Sequence, residues 1–495
     1  MKYYSTRDRA IRLSGAEAVK TGLSRDGGLL TPETIPQIDA GFLENLKTAS
    51  YAQRAAEVMA LYLTDYDKEE LQTFAERAYG PDKYDTPAAA PLRKVDGNTH
   101  CLELWHGPTS AFKDMALQML PQLLSAALRK TGEEKTACIL VATSGDTGKA
   151  AMEGFADVEQ TKILVFYPKD GVSAVQESQM VTQEGANVGV CAVVGNFDDA
   201  QAGVKRIFSD EAIRKTLADR GYFLSSANSI NWGRILPQVV YYISAYCDLL
   251  RDKAISMGEK VNFCVPTGNF GDILAAYYAK RMGLPVGKLI CASNQNDVLT
   301  DFLRTGIYDK NRPFHNTMSP SMDILVSSNL ERLLFDLSGE GDALVRSYME
   351  DLGRTGKYEV SASIQAALTE QFWGGFCDEA GTAETIARYY KDFGYLIDTH
   401  TAVAAQVMEQ YRKATGDQTL TVFASTASPY KFCNHVLANI GETPRGDGVE
   451  LLDQLHAATG VPVPRRLAAL KEKTRRFDQT AEKAEMDAVV LDFLK

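Results

Sequence analysis

Two kinds of apolar spacing divide the chain. From Phe42 to Tyr79 apolar residues recur every three to four positions, which predicts amphipathic helix. A turn-rich stretch, SRDGGLLTPETIPQI, precedes it, and a Pro- and Ala-rich segment, YDTPAAAPLRK, closes it off as a boundary. Beyond that boundary the pattern changes to short apolar, β-branched runs with helical stretches between them. TACILVAT (136–143), TKILVFYP (161–168), NVGVCAVVG (187–195), KVNFCVPTG (260–268), KLICAS (288–293) and LTVFAST (420–426) read as strands. Most are near-continuous rather than alternating, so both faces of the sheet are covered. That is the condition of a parallel sheet between helix layers, and the expected class is α/β. No internal repeat or low-complexity segment stands out.

Length adds that 495 residues exceed one simple core, so two to four domains are expected. Hydrophobic residues make up 45% and charged residues 24%, the balance of a soluble globular protein. A net charge of -11 without a basic run argues against nucleic acid as a partner. The least acidic stretch, RRLAALKEKTRR, reads as a solvated helix face. The eight cysteines form no C-x-x-C pair and several sit in apolar runs, as reduced, buried residues of a cytoplasmic enzyme would. The six histidines are scattered, so no protein-bound metal is expected. The opening MKYYSTRDRAIRL has no apolar leader core, and no run of 18 apolar residues predicts a membrane span.

In parallel α/β sheets, ligands bind where loops leave the carboxyl ends of strands. Three such loops are unusual. In VATSGDTGKAAMEGF a strand ends at Ala142 and Thr143 to Gly148 turn into a helix, an arrangement suited to an anion. It is not a Walker A loop, which needs glycine at Thr143 and a hydroxyl residue at Ala150. In CVPTGNFGDILAAYYAK a strand ends at Pro266 and Thr267 to Asp272 open a helix, with two glycines that let backbone approach a phosphate. In TVFASTASPYKF a strand ends in Ser425, Thr426 and Ser428. Taken singly, each also reads as an ordinary turn. SSANSINWGRILPQ adds Arg234, a residue suited to phosphate or carboxylate.

One lysine is oddly placed. In LELWHGPTSAFKDMALQML, Lys113 follows Phe112 and leads an apolar helix. Burial and a positive helix end would both lower its pKa. An amine so poised is what Schiff-base chemistry needs. Together with a phosphate loop it suggests pyridoxal phosphate, PLP.

These segments resemble the threonine synthase family over nearly the whole chain. YYSTR and DGGLLTPE resemble its N-terminal block, and LELWHGPTSAFKD its PLP-lysine motif. SGDTGKAA, FYPKDGVS, VVGNFDDAQ, SANSINWGR, PTGNFGD, PSMDILVSSNLERLLF and STASPYKF follow in the family's order. The resemblance implies a fold-type II PLP enzyme, tryptophan synthase β-like. Its parallel-rich twisted sheets would be flanked by helices in two PLP-clasping domains, with a further N-terminal domain. The division expected is an N-terminal domain over 1–92, a large PLP-binding domain from 93–114 and 231–495, and a smaller mobile domain over 115–230 carrying the SGDTG loop.

The resemblance also implies roles. Lys113 would hold PLP as a Schiff base and later move protons. Gly268, Asn269, Phe270, Gly271 and Asp272 would cradle the PLP phosphate, Thr426 would face the pyridine nitrogen, and Asp146 would lie near the 3′-oxygen. Thr143, Ser144 and Gly145 would hold the substrate carboxylate. Thr147, Ser229, Arg234 and Asn269 would grip the substrate phosphate. The activity implied is that of a carbon–oxygen lyase acting on phosphates, turning O-phospho-L-homoserine and water into L-threonine and phosphate. The alternative is a related phospho-lyase releasing phosphate and 2-oxobutanoate. A PLP-binding module without turnover is disfavoured by intact Lys113, PTGNFGD and Arg234. No regulatory domain precedes MKYYSTR, and a monomer is expected. Two departures from the pattern are Ser428, where many members carry histidine, and Pro121, which should kink the helix after Lys113 or mark its end.

Overall fold

The computed structural model describes residues 1–495, with every side chain except that of Asp198. The periodic stretch after Phe42 forms three helices, Ala40–Leu46, Tyr51–Tyr62 and Lys68–Tyr79. Their starts are legible: Asp39 accepts from the Phe42 N–H, and Ser50 with Gln53 makes a reciprocal capping box. They join a small antiparallel sheet of Tyr3–Ser5, Arg12–Leu13 and Leu30–Pro32. An aromatic knot ties this block to the rest of the molecule. Trp232 lies 5.7 Å from Tyr3, 5.5 Å from Tyr62 and 5.4 Å from Tyr278, centroid to centroid.

Two sheets carry the functional loops. The larger runs in the order Phe372–Phe376, Val286–Ser293, Val261–Pro266, Thr421–Ser425, Thr99–Glu103, Leu92–Lys94. It is parallel except at its Leu92–Lys94 edge. The smaller runs Thr480–Glu482, Val188–Val194, Thr161–Pro168, Thr136–Ala142, Tyr222–Ser225 and is parallel throughout. All six strands expected from apolar runs are present. Thr99–Glu103, Tyr222–Ser225 and Phe372–Phe376 were not expected. THCLE mixes charge into a buried strand, and FWGGF carries two glycines, so neither reads as an apolar run.

The segment 480–482 pairs with Ala192–Val194, in the smaller sheet. The division drawn from the sequence leaves that segment with the larger domain. Its strand is three residues in a polar stretch, with only Ala481 buried, too little to show as a pattern. Pro121 produces no kink, and the helix after Lys113 ends ahead of it. The helix after Lys113 is one turn, Asp114–Leu117, and Pro121 occupies the first turn of a separate helix, Leu120–Lys130. Proline there removes an N–H that has no partner anyway, so it begins a helix and bends none. The helix Trp232–Arg251 is buried along nearly its whole length and packs on Tyr51–Tyr62, Gly271–Arg281 and Asp114–Leu117. No helix is long and apolar enough to cross a membrane among the described residues.

Candidate active site

A cleft of about 2040 Å³ opens where strands of both sheets end, lined by Ala142, Pro168 and Gly195 from the smaller sheet and Pro266 and Thr426 from the larger. This is the position that parallel α/β topology favours for a ligand.

Lys113 reaches it through a locked turn. Buried Asp114 accepts from the Thr109 N–H at 2.8 Å and from the Thr109 hydroxyl at 2.8 Å. Burial pushes the Asp114 carboxyl up to about 6. Gly107 has no room for a side chain, because a Cβ there would stand 2.6 Å from Asp114. The Phe112 N–H donates to Thr426 O at 2.8 Å, and Ser428 N–H to Ser110 O at 3.0 Å, so the lysine segment is stitched to the Thr426 loop. Lys113 Nζ then lies 3.3 Å from Ser321 Oγ, 3.9 Å from Asp146 Oδ2 and 5.3 Å from the Phe112 ring centroid. Burial lowers its pKa to about 8; Asp146 opposes that shift, and Arg234 and Lys431 add to it. The expected contribution of a helix end gives way to these two cations, since a single-turn helix carries little dipole.

The first loop is built by its own hydroxyl. Thr143 Oγ1 accepts from Gly145 N–H at 3.0 Å and Gly148 N–H at 2.9 Å. Gly145 has φ 128°, and a Cβ there would meet Gln176 at 2.5 Å, so only glycine fits. Ser144 and Thr147 line the cleft beside Thr143. Asp146 begins the helix Asp146–Phe155 and is buried behind this wall. Its Oδ1 meets Lys431 Nζ at 2.7 Å and Gln176 Nε2 at 2.9 Å. Lys431 and Lys113 hold this carboxyl far below the usual range although burial alone would raise it.

The second loop presents an open helix end. Phe270 takes φ 64° and the helix Gly271–Arg281 starts without a side-chain cap, leaving its first N–H groups available to an anion. Gly268, Asn269, Phe270, Gly271 and Asp272 all line the cleft. A Cβ on Gly268 would come within 2.9 Å of Ser321 O, so this glycine permits close packing of the 321 segment. Asp272 accepts from Tyr242 Oη at 2.5 Å and from Tyr241 Oη, and burial raises it to about 6.

Ser229 and Arg234 line the same end of the cleft. Arg234 Nη1 donates to Ala227 O at 2.9 Å, while its buried Nε has no partner among the described residues. A buried guanidinium with a free donor beside an uncapped helix is a fit for phosphate. With Lys113 as a free amine across the cleft, the residues fit a phosphate-bearing aldehyde such as PLP.

Comparison with known proteins agrees. A family model described as "Threonine synthase N terminus" matches residues 2–79, "Pyridoxal-phosphate dependent enzyme" matches 86–426, and "Threonine synthase, C-terminal" matches 401–490. The chain belongs to the threonine synthase family of pyridoxal-phosphate dependent enzymes. The threonine synthase of Pseudomonas aeruginosa is 40% identical over 90% of this chain and 92% of its own length. Human threonine synthase-like 1 is also 40% identical, over 84% of this chain, but the chain spans only 56% of that relative. The PLP-bound threonine synthase of Brucella melitensis superposes with a TM-score of 0.88 at 37% identity, covering 100% of both chains. The yeast threonine synthase gives 0.88 at 34%, covering 99% of this chain and 98% of that one.

In this threonine synthase fold, several site residues escape sequence reasoning. Lys431 has its side chain wholly enclosed and donates to Gln179 Oε1 at 2.8 Å and Thr109 O at 3.1 Å as well as to Asp146. Its one signal was a lysine inside the apolar PYKF turn. Ser428 caps that turn, accepting from Tyr430 N–H at 3.3 Å, which gives the departing residue a structural task. His400 Nε2 accepts from Ser321 N–H at 3.2 Å, and its Nδ1 therefore donates to buried Asp398 at 2.8 Å. Ser321 lies in the quoted PSMDIL segment without being singled out, and His400 carries no local pattern, because each meets the site only through tertiary packing.

Proposed function

We propose that the chain converts O-phospho-L-homoserine and water into L-threonine and inorganic phosphate. One observation carries the reading. A lysine with lowered pKa faces, across one cleft, a buried arginine with a free donor and an uncapped helix N-terminus. The helix end serves the cofactor's phosphate, which leaves the arginine's free donor for an amino-acid substrate that also bears a phosphate. When bound, PLP supplies the electron sink that makes the substrate Cα proton removable.

The chain's own residues divide the remaining work. Lys113 holds the cofactor and then carries the Cα proton. The N–H groups from Gly268 to Asp272 would bind the cofactor phosphate, and Thr426 would face its pyridine nitrogen. Thr143, Ser144 and Gly145 orient the substrate carboxylate, and Thr143 also shapes the loop, since its oxygen accepts from Gly145 and Gly148 while its O–H is left to donate. Thr147, Ser229, Asn269 and Arg234 grip the substrate phosphate that leaves from Cγ. Asp146 acts through Lys113. Closure of the 115–230 lobe over the cleft would exclude bulk water while one water is added at Cβ. The enzyme is proposed to be cytoplasmic, a reading supported by eight buried, unpaired cysteines, and to be monomeric.

The test is incubation of purified protein with phosphohomoserine, following threonine and phosphate together. Phosphate with 2-oxobutanoate and no threonine sinks the synthase reading in favour of a phospho-lyase. Wild type should be yellow, and Lys113→Ala should lose the band that reports its bond to the cofactor.

A further inference from the structure

Lys113 shares its carboxylate with a second lysine. Asp146 is 2.7 Å from Lys431 Nζ through Oδ1 but 3.9 Å from Lys113 Nζ through Oδ2. The first is a charge-assisted hydrogen bond, and the second is longer than any hydrogen bond. Lys431 is fixed there by Gln179 and the Thr109 carbonyl, with its side chain wholly buried. The turn that carries it, Pro429–Phe432, follows the strand that ends beside Thr426. Asp146 sits on the opposite sheet's loop, so the pair joins the two sheets behind the wall of the cleft.

This arrangement solves a conflict in the chemistry. Lys113 must be an unprotonated amine to add to an aldehyde carbon, with water leaving afterwards. A lone buried carboxylate beside it would favour the ammonium form. We infer that Lys431 is a positioning residue that joins Asp146 in one neutral unit, so that Asp146 orients Lys113 without holding it protonated. The other charged groups facing Lys113 are Arg234, which reinforces the effect, and Asp114, which opposes it from within the Thr109 turn. The inference rests on Lys113 as the cofactor lysine.

The pair predicts shifts of opposite sign. Full-length protein resolved of cofactor is mixed with PLP across a pH series, and the growth rate of the yellow band is followed. The wild-type midpoint reports the Lys113 amine, expected near 8. Lys431→Met leaves Asp146 to Lys113 alone and should raise the midpoint by about one unit. Asp146→Asn leaves the Lys431 ammonium uncompensated and should lower it by about as much. The double variant should return towards wild type, and Lys431→Arg should stay near it. A role in packing alone moves stability but gives no opposed shifts. Singles that shift the same way, or not at all, overturn the inference. If Lys431→Met does not fold, Asp146→Asn decides: a midpoint that stays or rises overturns it. A wild type that forms no band with PLP overturns the cofactor reading, and the role of Lys431 with it.

Discussion

Asp146 and Asp272 are near-twins by position, yet their carboxyls are shifted in opposite directions. Each lies in the first turn of a helix that follows a buried parallel strand, and each carboxyl is enclosed. Burial alone would push both up. Asp146 faces two lysines and is held well below the usual carboxylate range. Asp272 faces two tyrosine hydroxyls and rises to about 6. Enclosure alone therefore does not set the direction in which a buried acid is shifted; the partner does. The difference also divides the labour of the two loops. The Asp146 loop manages the protonation of an amine, whereas the Asp272 loop supplies backbone donors and has its own carboxylate held by two tyrosine hydroxyls.

The largest effect on this comparison comes from Lys113→Ala, which removes one cation from Asp146. Activity should fall more than about a thousandfold in a threonine-formation assay, because the cofactor bond and the proton carrier go together. Asp146→Asn comes next. It strands the buried Lys431 ammonium and should cost about 3–5 kcal/mol of stability at neutral pH by denaturant titration. The cost should shrink below the usual carboxylate range. Asp146 is held low in the fold, so its stabilisation is present above its unfolded pKa and fades as acid protonates it.

Asp272→Asn should act with the opposite sign. The folded carboxyl at about 6 lies above its ordinary 3.8. The fold therefore binds this proton more tightly, and stability declines as pH climbs from about 4 to about 6, then levels off. Asparagine lacks that penalty, so the cofactor-free variant should gain on the order of 2 kcal/mol over wild type at pH 8 and little at pH 4. Equal losses for both asparagine variants at pH 8 would break the comparison. The smallest test is Tyr241→Phe. It removes one donor to Asp272 and should cost about 1 kcal/mol while raising that carboxyl further, seen by pH-dependent melting.

The twin loops also mark how far the sequence reaches. Both were legible, because a continuous apolar run ending in Thr–Ser–Gly or Thr–Gly–Asn is a local pattern. Lys113 and Arg234 were legible as charges in apolar surroundings next to such loops. Lys431 was not singled out, although its motif was in view, because its partner Asp146 lies far away in the chain and on the other sheet. Ser321, also within a quoted motif, and His400, within none, were missed for the same reason: one donates a backbone N–H to the other across the packed interior. The polar THCLE strand was missed for a related reason. Its Glu103 is satisfied by Tyr395 and His106, and only tertiary structure supplies them.

The pairing of Thr480–Glu482 with the Val188–Val194 strand has a consequence for synthesis. The smaller sheet's other four strands leave the ribosome by Ser225, but one edge stays uncovered until the 480 segment arrives long afterwards. An exposed parallel edge is a template for wrong partners. The nascent chain therefore carries the Val188–Val194 edge unpaired through about half of its translation, until a strand of three residues covers it and leaves a far shorter edge in its place.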